Sequence, residues 1–190
     1  MAKMANMMTN QQTTGSLNNF KGHIQVYTGN GKGKTTASMG LAVRAMGAGF
    51  KVLFAQFMKS GDYNEIKFLS KFGDNINIMQ LGTGNFVFNK PSEQDYKIAS
   101  DGLKKIEEII AKNIYNIVIL DEINVVLSKK LIEIADFMAF LDRIPPNVEL
   151  ILTGRNAPKE VIGRADLVTE MREIKHYYEK GIIAREGIEK

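Results

Sequence analysis

Thr28-Gly29-Asn30-Gly31-Lys32-Gly33-Lys34-Thr35-Thr36 is the stretch whose reading decides the fold. It ends in G-K-T-T, the close of the phosphate-binding pattern G-x-x-x-x-G-K-[ST], which follows a strand and opens a helix. The apolar residues 24–27 supply the strand and the apolar-periodic residues 35–46 the helix. Gly29, Gly31 and Gly33 let the backbone curl with its N–H groups inward, and those donors with the helix N-terminus make an anion site. Lys34 can reach the phosphates, and the Thr35 hydroxyl can ligate Mg²⁺ (or Mn²⁺). Lys32 and Thr36 add a second cation and a second hydroxyl, and Asn30 completes the turn. Thr28 departs from the pattern, standing where its first glycine belongs, with Gly29 adjacent to take over the permissive turn. Residues 28–36 are thus expected to hold a nucleoside triphosphate.

Outward from the loop, short apolar runs alternate with helical patterns. The runs are 23–28, 52–57, 76–81, 117–121, 148–153 and 166–171. Several lack polar alternation, as strands covered on both faces do. Helices are predicted over 34–46, 92–111 and 128–141. The second follows Pro91, with Ser92 and Asp95 spaced as a capping box and Leu103, Ile106, Ile109 and Ile110 as its stripe; the third closes before Pro145 and Pro146. The alternation predicts an α/β fold, a mostly parallel twisted sheet of about six strands with helices on both faces, of the P-loop NTPase (RecA-like) kind. Residues 20–190 read as one domain. Residues 1–19, rich in Met, Asn, Gln and Thr and without periodicity, read as a flexible tail.

A second element supports the loop. Ile117-Val118-Ile119-Leu120-Asp121-Glu122 is an apolar strand ending in two carboxylates, the pattern that sets an acid beside bound magnesium. Asp121 or Glu122 would hold the metal, directly or through water.

Composition removes other chemistries. There is no cysteine, so disulfides, thiolate nucleophiles and cysteine-ligated metal centres are excluded. His23 and His176 are the only histidines and lie far apart, which argues against a histidine metal site. No apolar run reaches the ~18–20 residues that cross a bilayer, so a soluble, cytoplasmic protein is expected. The formal charge of +4 suits anionic small molecules as well as nucleic acid and does not choose between them. A phosphate loop alone does not name a reaction. No N-K-x-D segment reads guanine, which points to ATP. No arginine finger stands out, with Arg44, Arg155, Arg164 and Arg172 as candidates. A small-molecule kinase or ATPase remains an alternative at this level, and a nucleic-acid-dependent ATPase a third.

Several segments together resemble the corrinoid adenosyltransferases of the CobA/BtuR type. The resemblance runs from Gly22-His23-Ile24-Gln25-Val26-Tyr27 through the loop into Gly40-Leu41-Ala42-Val43-Arg44-Ala45. It continues with Gln56-Phe57-Met58-Lys59, Gly82-Thr83-Gly84 and Leu120-Asp121-Glu122-Ile123-Asn124. It resumes at Leu152-Thr153-Gly154-Arg155-Asn156-Ala157-Pro158 and Ala165-Asp166-Leu167-Val168-Thr169-Glu170-Met171, and closes with Lys175-His176 and Gly187-Ile188-Glu189. The departure at Thr28 is shared with that family.

The resemblance implies transfer of the 5′-deoxyadenosyl group of ATP to cobalt(I) of a corrinoid, cobalamin or a cobinamide-type substrate, with release of triphosphate. It also implies a reductase or flavin electron donor, a homodimer, and neither membrane nor nucleic acid as partner. Cobalt(I) would be the nucleophile, so no protein nucleophile is needed. Lys34, Mg²⁺ and backbone N–H groups would meet charge on the leaving triphosphate. An aromatic F-x-W pair after a G-x-G segment excludes the lower axial cobalt ligand in that family; here Phe86 and Phe88 are the candidates, with Asn85 inserted and no tryptophan. Arg44, Gln56 and Arg155 are further candidates for the nucleotide or corrinoid. His176 would touch the corrinoid or cap a hairpin, and His23, at the opposite sheet edge, would be structural.

Overall fold

The computed structural model describes residues 20–83 and 91–189. The expected tail 1–19 and the candidates Phe86 and Phe88 lie outside the described residues. Six strands form one sheet in the order β3-β2-β4-β5-β1-β6, with every neighbouring pair parallel. They are β1 Ile24–Thr28, β2 Val52–Phe57, β3 Ile76–Leu81, β4 Ile117–Asp121, β5 Glu149–Thr153 and β6 Leu167–Glu170. Each falls on an expected apolar run. The α-helices are α1 Lys34–Gly47, α2 Asn64–Leu69, α3 Glu93–Ile110, α4 Ile123–Ser128, α5 Ile134–Asp142 and α6 Lys159–Arg164.

The period-two alternation of the strands divides the core into two layers. Leu53, Ala55 and Phe57 of β2, Val118 and Leu120 of β4, and Leu150 and Leu152 of β5 face Ala99, Leu103, Ile106 and Ile110 of α3, Phe137 and Phe140 of α5, and Val161 of α6. The intervening Val52, Phe54, Ile117, Ile119 and Ile151 face Ala42 and Ala45 of α1 and Leu69 of α2. Burying each such Ile, Leu or Phe contributes about 1.5–3 kcal/mol before entropy, which is why the inner strands carry no polar face. The sheet and its two helical layers match the expected fold class.

Local signals explain the helix ends. At α3 the Ser92 side chain accepts from Asp95 N while the Asp95 carboxylate accepts from Ser92 N, the expected capping box. The helix expected over 128–141 is corrected. α4 ends where it was expected to start, Lys130 turns left-handed at φ 57, and α5 opens only after Glu133. Leu131 and Ile132 in the connection are buried, so their apolar spacing imitates a continuous helix.

The strand order positions the site. β5 lies between β1, which feeds the loop, and β4, which ends in the acids. Loop, acids and the residues following β5 therefore meet at the carboxyl edge of the sheet, where open α/β sheets bind ligands.

Candidate active site

β1 enters the loop through Thr28, and Gly29 takes the turn at φ 94. Thr28 has its own use: its Oγ1 accepts from Ala157 N at 3.2 Å, tying the loop to the segment after β5. A glycine there would lose this brace, which gives the departure from the general pattern a physical reason. On the other side, Met171 N donates to Thr28 O at 2.8 Å and Gly31 N donates to Met171 O at 2.7 Å. The glycines allow that approach. A Cβ at Gly29 would sit 2.4 Å from Met171 O, and one at Gly31 2.7 Å from it. Gly33, left-handed at φ 115, then opens α1.

Inside this frame the Lys34 ammonium donates to Gly29 O at 2.8 Å and Gly31 O at 2.7 Å. Burial lowers its pKa and Arg155 adds to that, against the opposing pull of Glu122, Asp121 and Glu173. A phosphate oxygen would therefore meet a lysine that gains from an anionic partner. Thr36 and Asn30 are exposed beside it. Lys32, expected as a second phosphate cation, is placed differently. Its ammonium donates to Tyr177 Oη at 3.1 Å, Ile188 O at 3.1 Å and Glu189 Oε1 at 2.7 Å.

The acids gather the other half. Asp121 is fully buried, and its Oδ1 accepts from Thr35 Oγ1 at 2.8 Å and Thr153 Oγ1 at 2.6 Å. Its Oδ2 accepts from Lys59 Nζ at 3.0 Å and Gln56 Nε2 at 3.4 Å. The hydroxyl expected to ligate metal and the expected acid thus meet directly, across the end of the intervening β5. Glu122 leaves the strand left-handed at φ 63, its N–H donating to Thr153 Oγ1 at 3.0 Å. Burial pushes the Glu122 carboxyl up and Asp121 adds to it, while Lys59, Lys34 and Arg155 pull the other way. Lys59 itself is partly desolvated, yet Asp121 and Glu122 hold its pKa above the ordinary lysine value.

Lys59 is the site residue that sequence reasoning missed. It stands just past β2 at the carboxyl edge, where Met58 turns at φ 57 and its backbone packs against Gly82. The signal available was a lysine two residues past a strand buried throughout. Gln56 is fully buried between Asp121 and Gln80, whose Nε2 donates to its Oε1 at 3.3 Å. Arg155 acts on Lys34 and Glu122 through its charge. Arg44 sits in the last turn of α1, ten residues and about 15 Å of helix beyond Lys34, so the structure does not bring it to the loop. His176 caps a 3-10 turn over Tyr177–Lys180 by accepting from Tyr178 N, rather than a hairpin. His23 lies 3.6 Å from Asp166 at the opposite edge.

Hard oxygen donors, one hydroxyl and two carboxylates, fit a magnesium ion that completes its shell with phosphate oxygens. The ammonium already seated on Asp121 shows that positive charge is favoured there. Among the described residues no group of three or more acidic or histidine side chains could hold a metal alone, and no helix is long and apolar enough to cross a membrane.

Comparison with known proteins identifies the family. A corrinoid adenosyltransferase of Sinorhizobium sp is 38% identical over 172 residues, 89% of this chain and 80% of that protein. Those of Pseudomonas aeruginosa and Escherichia coli K12 are each 32% identical over 170 residues, 89% of this chain and 84% and 86% of theirs. The flagellar accessory protein FlaH of Methanocaldococcus jannaschii superposes with a TM-score of 0.56 at 16% identity, covering 79% of this chain and 71% of that one. That likeness extends to the fold alone. Residues 20–189 match the family ATP:corrinoid adenosyltransferase BtuR/CobO/CobP, to which this chain belongs.

Proposed function

We propose that this chain transfers the 5′-deoxyadenosyl group of ATP to cobalt(I) of a corrinoid and releases intact triphosphate. The observation that carries the proposal is the family match over residues 20–189 on a chain whose loop joins Lys34 to the Thr35–Asp121 pair. Cobalt(I) donates an electron pair to C5′, the cobalt–carbon bond forms, and the C5′–O bond breaks. The departing triphosphate keeps that bond's electron pair.

The chain's own residues bind and orient. Lys34 gives up its two loop carbonyls for phosphate oxygens, which places a buried cation against the leaving group. Thr35, Asp121 and Glu122 would hold Mg²⁺ (or Mn²⁺). Such an ion neutralises negative charge on the triphosphate as it leaves. Gln56 and Thr153 fix the Asp121 carboxylate, so neither oxygen must reorient on binding. Arg155 adds positive charge from the segment after β5. Phe86 and Phe88 are proposed to fill the space below the corrin and keep an axial ligand off cobalt. Thr83 Oγ1 donates to Asp95 Oδ1 at 3.2 Å, which ties together the chain on either side of residues 84–90. A reductase or reduced flavin would supply the electron for cobalt(I). A homodimer and a cytoplasmic setting belong to the same proposal.

The test is the fate of ATP. Anaerobic incubation with Mg–ATP and chemically reduced cobalamin should yield adenosylcobalamin and one triphosphate per corrinoid. ADP and phosphate with unchanged corrinoid would instead support a kinase or ATPase.

A further inference from the structure

The second lysine of the phosphate loop is fully occupied by another part of the chain. An ammonium has three donors. Those of Lys32 go to Tyr177 Oη, Ile188 O and Glu189 Oε1, all from the segment after β6. The Glu189 carboxylate is the hub of that contact. It also accepts from Tyr177 Oη and from Arg185 N at 2.9 Å, Nε at 3.3 Å and a terminal guanidinium nitrogen at 3.2 Å. Arg185 in turn lies over the Tyr177 ring at 4.8 Å. Arg185, Lys32 and Tyr177 hold Glu189 well below the usual carboxylate range. Lys34 has only the loop's backbone carbonyls, Gly29 O and Gly31 O, as hydrogen-bond partners. The two lysines are therefore not equivalent: one is held in reserve for an anion and the other is already paired.

We propose that Glu189 is a positioning residue that withholds Lys32 from the phosphates, so that the loop grips triphosphate with one lysine instead of two. The inference deepens the reading of the loop as a triphosphate holder and rests on it. A leaving group that departs whole must then be released whole. Triphosphate carries more charge than any single-phosphate product, and every added cation slows its departure. Glu189 lets Lys32 tie segment 177–189 to the loop without adding to that grip. Tyr177 and Arg185 keep the carboxylate in place.

The test is calorimetric titration of the full chain with inorganic triphosphate and Mg²⁺, which needs no corrinoid. Glu189→Gln should tighten triphosphate binding on the order of tenfold, the effect of one unit charge freed at a partly screened surface. The gain should shrink with added salt. In turnover, the same variant should show stronger product inhibition by triphosphate and a lower kcat at unchanged or lower KM. The double variant Lys32→Met/Glu189→Gln should return to within about twofold of the unmodified affinity, since it removes both charges of the pair. Lys32→Met alone should cost far less binding than Lys34→Met.

Weaker or unchanged binding in Glu189→Gln, in protein that melts as the unmodified chain does, would overturn the proposal. So would a double variant as weak as Lys32→Met, because Lys32 would then already contact phosphate. Tyr177→Phe, which leaves both charges, guards against loss of fold and should tighten binding less than Glu189→Gln. Failure of the unmodified chain to bind triphosphate at all would be a different result, overturning the loop reading itself together with this inference.

Discussion

Replacing Lys59 by Met probes the acid cluster most directly. The Asp121 side chain is 0% exposed and that of Lys59 24%. Removing one partner of a fully buried ion pair costs about 3–5 kcal/mol, whereas exposed pairs are worth about 0–1 kcal/mol. Lys59 is partly solvated, and Asp121 keeps three neutral donors in Thr35, Thr153 and Gln56. Those features place the loss between the two limits, at about 2 kcal/mol. For a chain of this size each kcal/mol moves the melting temperature by roughly 2–4 °C, so Lys59→Met should melt about 4–8 °C lower in metal-free buffer. Two carboxylates would then face one another without a cation, and Mg²⁺ should bind them more tightly than in the unmodified protein. Saturating Mg²⁺ should therefore recover most of the loss by mass action. The assay is thermal unfolding with EDTA and with millimolar Mg²⁺. An unchanged melting temperature would refute the reasoning about Asp121. An equal loss in both buffers would refute the assignment of Asp121 and Glu122 to Mg²⁺.

Gly31→Ala puts a Cβ 2.7 Å from Met171 O, so the loop must move and lose the Gly31–Met171 hydrogen bond; ATP binding by calorimetry should fall at least tenfold. Asp95→Ala should cost about 0.3–1.5 kcal/mol at neutral pH, measured by urea unfolding. Ser92 and Thr83 hold the Asp95 pKa below its ordinary 3.8. The unfolded chain therefore takes up this proton first as pH falls, and the penalty should vanish once pH drops below the folded value. Phe88→Ala should impair turnover from cobalt(II) more than turnover from chemically supplied cobalt(I); equal losses would remove Phe88 from the wedge role.

The elements that sequence made legible are those with a strong local cause. Both-face burial wrote the inner strands β2, β4 and β5 as apolar runs, and the Ser92–Asp95 box marked the start of α3. What escaped depends on residues in unusual backbone states. Lys130 and Glu122 are left-handed without being glycine, so neither the break between α4 and α5 nor the outward turn of Glu122 has a sequence signal. The short α2 and α6 span six residues each, too few for a helical period to be read. At the site, Lys34 and Thr35 were legible from motif spacing, and Asp121 from its place at the end of an apolar run. Lys59 and the partner of Lys32 were not legible because those pairings are remote in sequence, 62 residues to Asp121 for Lys59 and 157 to Glu189 for Lys32.

Glu122 separates the two chemistries that such a site can support. An ATPase needs a carboxylate to orient or deprotonate the attacking water, and Glu122 is the available group: Asp121 is enclosed by four donors, and His23 and His176 are engaged elsewhere. Adenosyl transfer needs no such base, because cobalt(I) brings its own electron pair and no proton moves at C5′. On the adenosyltransferase reading Glu122 serves only to attract the metal, and Gln retains an oxygen donor there at one charge less. Glu122→Gln should then raise the Mg²⁺ concentration required for half-maximal rate by roughly tenfold, the scale of one carboxylate's charge in a partly buried site. Its rate of adenosylcobalamin formation at saturating Mg²⁺ should stay within a few-fold of the unmodified protein. A base lost from a hydrolytic mechanism costs about 10²–10⁴-fold at any metal concentration. A defect of that size in ATP consumption with release of ADP and phosphate, not relieved by Mg²⁺, would assign Glu122 to proton transfer, and with it the chemistry to the γ-phosphate instead of C5′.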